Sequence, residues 1–296
     1  MTSTPASNST LRPRRSVLYM PGANARAMDK ARGLDADAVI FDLEDAVAPD
    51  MKAAAREQVI ATLKQGGYGN RELIVRINSL QTPWGKDDLL ALLQAGVAFD
   101  GVCLPKVETA EQVLAVAELI AQQGNQALAL WPMIETPLGV ANAQAIAAAH
   151  PNLTAIVMGT SDLSKEMRIP HTPDRIGFIG ALSQCVLAAR CHHVDIIDGV
   201  YLDIKDSDGF ARICQQGRDL GFDGKSLIHP AQLVDANRVF GPSAADVDKS
   251  RRILQVWQEA LAEGKGVAVL DGKLVENLHV DEAERTLAIA EAIANR

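Results

Sequence analysis

The stretch Phe41-Asp42-Leu43-Glu44-Asp45-Ala46-Val47 closes the apolar run Ala38-Val39-Ile40-Phe41, so a segment that reads as a buried strand ends in acids. Asp42, Glu44 and Asp45 at a dry strand end repel one another unless a metal ion, an arginine or water meets them. Side chains at i and i+2 share a strand face, which puts Asp42 with Glu44, and Arg76 with Asn78, into one mouth. Glu135 closes a later apolar run, and Ser161 and Asp162 follow Ala155-Ile156-Val157-Met158-Gly159. Lys106 follows a fourth run, Asp198 closes another, and Lys225 lies within the last. Acids gathered without clustered His or Cys suit a hard cation, most plausibly Mg2+. That ion takes one or two carboxylates and fills its octahedron with waters and substrate oxygens. Glu135 and Asp162, on neighbouring strands, are the expected metal pair. For any acid taken singly, helix capping or pairing with a rim arginine is the competing role. The adjacent His192 and His193 point to different sides of their helix and make no zinc site. His171 and His279 are expected in loops facing solvent.

These residues need elements that bring strand ends together. Short apolar runs predict strands over Ser16–Met20, Ala38–Leu43, Leu73–Asn78, Gly101–Pro105, Ala127–Glu135, Ala155–Gly159, Asp195–Gly199 and Asp223–Leu227. Between them, stretches such as Met51–Lys64, Ala110–Gln123, Ala141–His150 and Ile176–His192 carry an apolar period of 3.6 and predict helices. Eight such units fit a (β/α)8 TIM barrel, typically roughly 250 residues long. A doubly wound sheet is the alternative, but Met20-Pro21-Gly22-Ala23-Asn24-Ala25-Arg26-Ala27-Met28 lacks the glycine-rich dinucleotide turn. In a barrel the strand C-termini converge on one rim, where chemistry sits. Residues 15–241 are the expected barrel and 242–296 a C-terminal helical extension, a lid or an oligomer arm. In it a helix is expected over Pro242–Glu263, a hairpin of Gly266–Leu270 with Lys273–Val275 across Asp271-Gly272, and a helix over Asp281–Ala294.

The chain of 296 residues is 48% hydrophobic and 22% charged, as ordinary globular proteins are, with a net charge of −8. Without a long basic run, nucleic acid and anionic membrane are excluded as expected partners. Cys103, Cys185, Cys191 and Cys214 form no CxxC pair, so reduced thiols in a cytoplasmic setting are expected. No apolar run reaches transmembrane length. The start, residues 1–14, is rich in Ser and Thr and interrupted by Pro; a disordered tail is expected, with an organelle transit peptide as the alternative.

Several segments, in order, carry a resemblance: RSVLYMPG (15–22), DAVIFDLEDAV (37–47), KAAAR (52–56), VRIN (75–78), LPKVE (104–108), PMIET (132–136), GTSDL (159–163) and GKSLIHPAQ (224–232). Together they resemble the citrate lyase β-subunit-like family of the HpcH/HpaI aldolase superfamily, whose relatives include malyl-CoA, citramalyl-CoA and β-methylmalyl-CoA lyases. The resemblance implies a Mg2+-dependent carbon–carbon lyase on a TIM barrel. It implies that Glu135 and Asp162 bind Mg2+, that Arg76 reaches a substrate oxygen, and that Glu44 lies close to the metal and its waters. It further implies a C-terminal segment that covers a neighbouring subunit's site and delivers an acid, usually aspartate, after a hairpin. Here that stretch is DGKLVENLHV, with Glu276 at the aspartate's position. The resemblance also implies a homo-oligomer, trimer or hexamer, in which that acid is shared between subunits.

The expected reaction divides a 3-hydroxyacyl-CoA into an acetyl-CoA-type thioester and a 2-oxo acid, or runs in reverse. Arg76 would meet the developing alkoxide, and Glu276 would move the α-carbon proton. Arg14, Arg15, Arg26 and Lys30, around the first βα loop, are candidates for the CoA phosphates, with Gly159 and Asp42 as further substrate contacts. Asp42 is expected to pair with Lys225 or Arg76, and Asp45 to brace the following loop. Three alternatives stand: a citrate lyase β subunit working on an acyl-carrier thioester, an aldolase using no thioester, and a non-catalytic homologue binding a 2-oxo acid or CoA. Glu276 in place of aspartate keeps the last of these open.

Overall fold

The computed structural model describes residues 11–124 and 127–296; the expectation for the N-terminal tail falls mainly outside them. The barrel opens with β1 (Ser16–Pro21), α1 (Ala25–Ala31), β2 (Ala38–Asp42), α2 (Lys52–Gln65), β3 (Glu72–Arg76) and α3 (Gly85–Gln94). It continues through β4 (Gly101–Leu104), α4 (Ala110–Gln122), β5 (Ala129–Ile134), α5 (Pro137–Ala141), α6 (Ala143–Ala147), β6 (Ala155–Met158) and α7 (Thr160–Met167). It ends with α8 (Ile179–Cys191), β7 (Asp195–Asp198), α9 (Ser207–Leu220), β8 (Gly224–Leu227) and α10 (Leu233–Phe240). All neighbouring strands run parallel and in sequence order, and β8 returns to β1 with Ser16 opposite Lys225. The expected closed eight-stranded parallel barrel is therefore the fold.

Period-two alternation builds it. One set of strand residues, among them Val17, Ala38, Ile40, Ile74, Trp131, Met133 and Val157, fills the barrel interior. The alternate set, including Leu18, Val39, Phe41, Val75 and Ile134, packs outward on the helices. Asp42 continues the inward series Ala38, Ile40, and Arg76 continues Ile74, so both polar side chains crown an apolar lumen. At the other end the lumen is plugged. Trp131 donates to Thr154 Oγ1 at 3.0 Å, and the Arg14 guanidinium lies 5.1 Å from its ring centre. Arg14 also pairs with Glu72 and Asp195, at 2.7 and 2.8 Å.

Several boundaries differ from the sequence expectation. β6 stops at Met158, and Gly159 is already the N-cap of α7, so Asp162 sits on a first helical turn. The helix expected over Ala141–His150 is instead α5 and α6, broken at Asn142 (φ −96°, ψ 8°). The helix expected from Ile176 begins at Ile179, after Arg175 at φ 51°.

Lys225 does not pair with Asp42. Its neighbour Ser226 shares the lumen phase, so Lys225 points out of the barrel, where its Nζ meets Asp198 Oδ2 at 2.9 Å and the Gly199 carbonyl at 2.5 Å. Arg175 Nη1 donates to both Asp198 oxygens, at 2.7 and 2.8 Å. Burial opposes ionisation of Asp198, but Lys225 and Arg175 outweigh it and hold the carboxyl below its usual range. An Asp198→Ala variant leaves two buried cations without their anion, which costs about 3–5 kcal/mol. Urea unfolding at pH 7 should show that loss; a change within 1 kcal/mol (roughly the scatter of surface substitutions) would contradict it.

Arg14–Phe240 form one compact unit, and Gly241–Arg296 belong to a second. The second unit comprises α11 (Ala244–Ala262), β9 (Ala268–Leu270), β10 (Lys273–Val275) and α12 (Asn277–Ala294). Ser243 caps α11 through a box with Asp246, and Asp271 and Gly272 turn the hairpin at φ 49° and 75°. Ile253, Ala260, Ala268, Val275, Val280 and Ala283 form its own small core. The last helix begins at Asn277 and not Asp281, because Glu276 and His279 form a reciprocal cap. Among the described residues no helix is long and apolar enough to cross a membrane.

Candidate active site

The loop after β2 is folded around Asp42. Its Oδ1 accepts from the Glu44 N–H at 2.8 Å and its Oδ2 from the Ala46 N–H at 3.1 Å, a side-chain turn that short acids make readily. Buried Lys52, the first residue of α2, donates to the carbonyls of Leu43 and Glu44 at 2.9 and 2.7 Å. Asn78 Nδ2 donates to Leu43 O at 3.0 Å and to Asp88 at 2.6 Å. The acidic loop is thus clamped from both sides before any ligand arrives.

Arg76, at the end of β3, answers the repulsion among these acids. Its Nε and Nη2 grip Asp42 in a two-pronged pair, both at 2.7 Å. Nη1 reaches Glu44 Oε2 at 2.9 Å and Asp45 Oδ2 at 3.4 Å. Asp42 therefore pairs with Arg76, as one of the two expectations had it. Asp45 turns toward the same guanidinium and does not merely brace its loop. Tyr19 lies beneath, with its ring centre 5.1 Å from the Arg76 guanidinium carbon and its hydroxyl buried without a hydrogen-bond partner. Burial, chiefly, pushes that phenol well above its ordinary pKa, so it stays protonated.

Glu135 follows β5 and is 3% exposed. Its Oε1 accepts from the Lys106 N–H at 2.8 Å. Burial first, then the nearby charge of Glu44, pushes its carboxyl up to about 8. Burial likewise raises Glu44, with Asp45 adding to the rise and Arg76 opposing it. Gly159 makes room for Glu135: a Cβ there would lie 2.4 Å from both Glu135 Oε2 and Cβ. Asp162, on the first turn of α7, shares a cavity of about 360 Å³ with Tyr19, Arg76, Glu135, Gly159 and Ser226.

Asp42, Glu44, Arg76, Glu135, Gly159 and Asp162 therefore meet on the C-terminal rim, as the sequence expectation placed them. Arg15 does not join them. It precedes β1, at the opposite end of the barrel, and is buried there against Asp37 at 2.8 Å. Arg14 is committed at that same end. Lys30 is exposed on the last turn of α1, Arg26 is exposed on its first, and Glu276 lies in the second compact unit as the N-cap of α12. Two residues the sequence left without a role complete the rim. Tyr19 was legible as an inward position, two residues from Val17. Lys106 was visible only as a cation after a strand.

Five carboxylates, those of Asp42, Glu44, Asp45, Glu135 and Asp162, gather around the two cations Arg76 and Lys106. Among the described residues no three His, Cys, Asp or Glu side chains converge as a complete ligand cage. Two carboxyl groups facing one cavity, with space beside them for water and substrate oxygens, fit a hydrated hard dication and not zinc.

The chain matches the HpcH/HpaI aldolase/citrate lyase family over residues 15–230. It is 53% identical over 282 residues to a (3S)-malyl-CoA thioesterase of Cereibacter sphaeroides, covering 95% of this chain and 96% of that protein. It is 36% identical over 286 residues to the citrate lyase subunit beta of Escherichia coli, covering 95% and 94%. Its fold matches the protein CitE of Mycobacterium tuberculosis in complex with magnesium, acetoacetate and coenzyme A. The TM-score is 0.76 and the identity 30%, over 95% of this chain and all of that one.

Proposed function

The chain belongs to the HpcH/HpaI aldolase/citrate lyase family, and from that premise we propose that it is a Mg2+-dependent enzyme that hydrolyses a malyl-CoA-type thioester. The observation that carries this is the meeting of Glu135 and Asp162 beside an Arg76 already fixed on Asp42. The likeness to a (3S)-malyl-CoA thioesterase over nearly the whole chain supports the thioester as the bond broken. A CitE protein bound to magnesium, acetoacetate and coenzyme A supports the ligand classes.

Glu135 and Asp162 would hold the ion, which when bound supplies a Lewis acid and a template for the substrate's oxygens. Arg76 keeps a rigid positive charge over the cavity, where oxyanion charge develops on the thioester carbonyl. Glu44, with one oxygen toward Arg76 and the other toward Lys106, is the base. A water oxygen bonds to the thioester carbon, its proton passes to Glu44, and the carbon–sulfur bond breaks. The CoA thiolate then takes the proton, leaving malate and free CoA.

The second reading is carbon–carbon cleavage, supported by the likeness to citrate lyase subunits. There the 3-hydroxyl loses its proton, the bond between C2 and C3 breaks, and the acetyl-CoA enolate is reprotonated as glyoxylate departs. Glu276 of a neighbouring copy is the proposed proton donor, which requires an oligomer. Incubation of the protein with (3S)-malyl-CoA and Mg2+ separates the two. Free thiol and malate are expected; glyoxylate and acetyl-CoA without free thiol would replace hydrolysis by cleavage.

Metal uptake carries a pH signature. Glu135, raised to about 8, is mainly protonated at pH 7 in the metal-free protein and must ionise to ligate. Roughly one proton is released per ion at pH 7 and none above about pH 9, and affinity climbs toward alkaline pH. Calorimetry in buffers of different ionisation enthalpy reads this directly. The folding term has the opposite sign. A raised carboxyl favours the folded metal-free protein at low pH, and stability falls as pH climbs from the ordinary value of 4.5 to about 8.

A further inference from the structure

Lys106 stands at φ 52°, in the left-handed region that glycine and asparagine occupy more cheaply. Either of those would still offer the backbone N–H that bonds Glu135 Oε1 at 2.8 Å. What a lysine adds here is its ammonium, which lies 3.1 Å from Glu44 Oε1 and 3.4 Å from Asp162 Oδ2. One residue therefore touches three rim acids, Glu135 by its backbone and the other two by its side chain. The side chain is 46% exposed, whereas that of Glu44 is 11% exposed, so the ammonium reaches over the cavity from the solvent side.

Arg76 cannot serve Asp162, because its donors are spent on Asp42, Glu44 and Asp45. Lys106 is the cation that meets Asp162. A half-exposed ammonium on a four-carbon stem is held weakly and turns easily, whereas a two-pronged buried guanidinium is not and does not. A divalent ion held by Asp162 repels that ammonium, and the ammonium has room to leave.

Resting on the Mg2+ reading above, we propose that Lys106 changes partner as the site fills. It holds Glu44 and Asp162 in place as their counter-ion in the metal-free protein, yields Asp162 to the divalent ion, and then meets the carboxylate of the incoming 2-oxo or 2-hydroxy acid. Lys106 thereby weakens metal binding before substrate arrives and strengthens acid binding afterwards. The order of loading, ion first and acid second, follows from one side chain.

The test uses wild type, Lys106→Met and Lys106→Arg, each first checked for unchanged melting temperature. Mg2+ is titrated calorimetrically without substrate, then oxaloacetate is titrated at saturating Mg2+. Lys106→Met is expected to bind Mg2+ about tenfold tighter and oxaloacetate about tenfold weaker, with Lys106→Arg close to wild type in both. Unchanged or weaker Mg2+ binding in Lys106→Met overturns the role. Tighter Mg2+ binding with unchanged oxaloacetate affinity also overturns it, since the ammonium then never changes partner. A wild type that takes up no Mg2+ defeats the metal reading itself, an outcome distinct from both.

Discussion

Replacing Glu135 by glutamine is expected to abolish turnover, by more than about 10³-fold, and to weaken Mg2+ binding at least about 100-fold. The substitution keeps the shape of the side chain and an oxygen to accept the Lys106 N–H, so it removes charge with little else. Ion binding at this site draws on two carboxylates, and a neutral amide oxygen in place of one is a far poorer partner for a hard dication. The same change relieves the folded protein. Glu135 is buried beside Glu44 and Asp162, and burial together with those two charges opposes its ionisation more strongly than the Lys106 N–H and the Arg76 guanidinium favour it. The metal-free Glu135→Gln protein should therefore melt at or above the wild-type temperature at pH 8, and the difference should vanish near pH 5. An inactive variant that also unfolds early would mean that Glu135 is structural, and the metal assignment would fall with it.

The second large effect is at Arg76. Arg76→Lys keeps one positive charge but loses the planar fork that grips Asp42 at two 2.7 Å contacts and reaches Glu44 with its third nitrogen. Turnover should drop by about 10²–10³-fold, the range for losing one preorganised donor at a developing oxyanion. KM should change far less, because the charge itself remains. Arg76→Ala is the harsher variant, since it strands the buried carboxylates of Asp42 and Glu44, and about 3–5 kcal/mol of stability should go with it. Steady-state kinetics on Arg76→Lys beside thermal melts of both variants distinguishes the two roles. Full activity in Arg76→Lys would remove the guanidinium from the chemistry.

What was readable in the sequence has a common physical origin. Asp42, Arg76 and Glu135 were legible because each ends an apolar run, and a strand's end and phase together assign a side chain to the barrel mouth. The same rule, applied to what precedes a strand, places Arg15 at the opposite end, where Asp37 holds it. Phase also separates Lys225 from Asp42, because Ser226 and not Lys225 faces the lumen. Other features had no such signal. The left-handed backbone of Lys106 is a property of tertiary fit, and no spacing announces it. The cap formed by Glu276 and His279 was hidden because histidine takes the place where glutamate or glutamine ordinarily sits. Asp162 was placed on the right rim as a residue following a strand, without the helix that Gly159 caps and that carries it on its first turn.

That glycine also sets a rule for anyone who would remodel the pocket. Position 159 has no spare atom to give: the smallest side chain would occupy the space of the Glu135 carboxylate. The start of α7 and the acid packed against it at the end of β5 are therefore a single mutational unit, and neither drifts without the other. Enlarging the cavity for a bulkier acyl group has to proceed from Val200 and Ile228, which line the same cavity. A library that spares residue 159 and randomises those two samples new specificities, whereas one that includes it mostly samples broken enzymes.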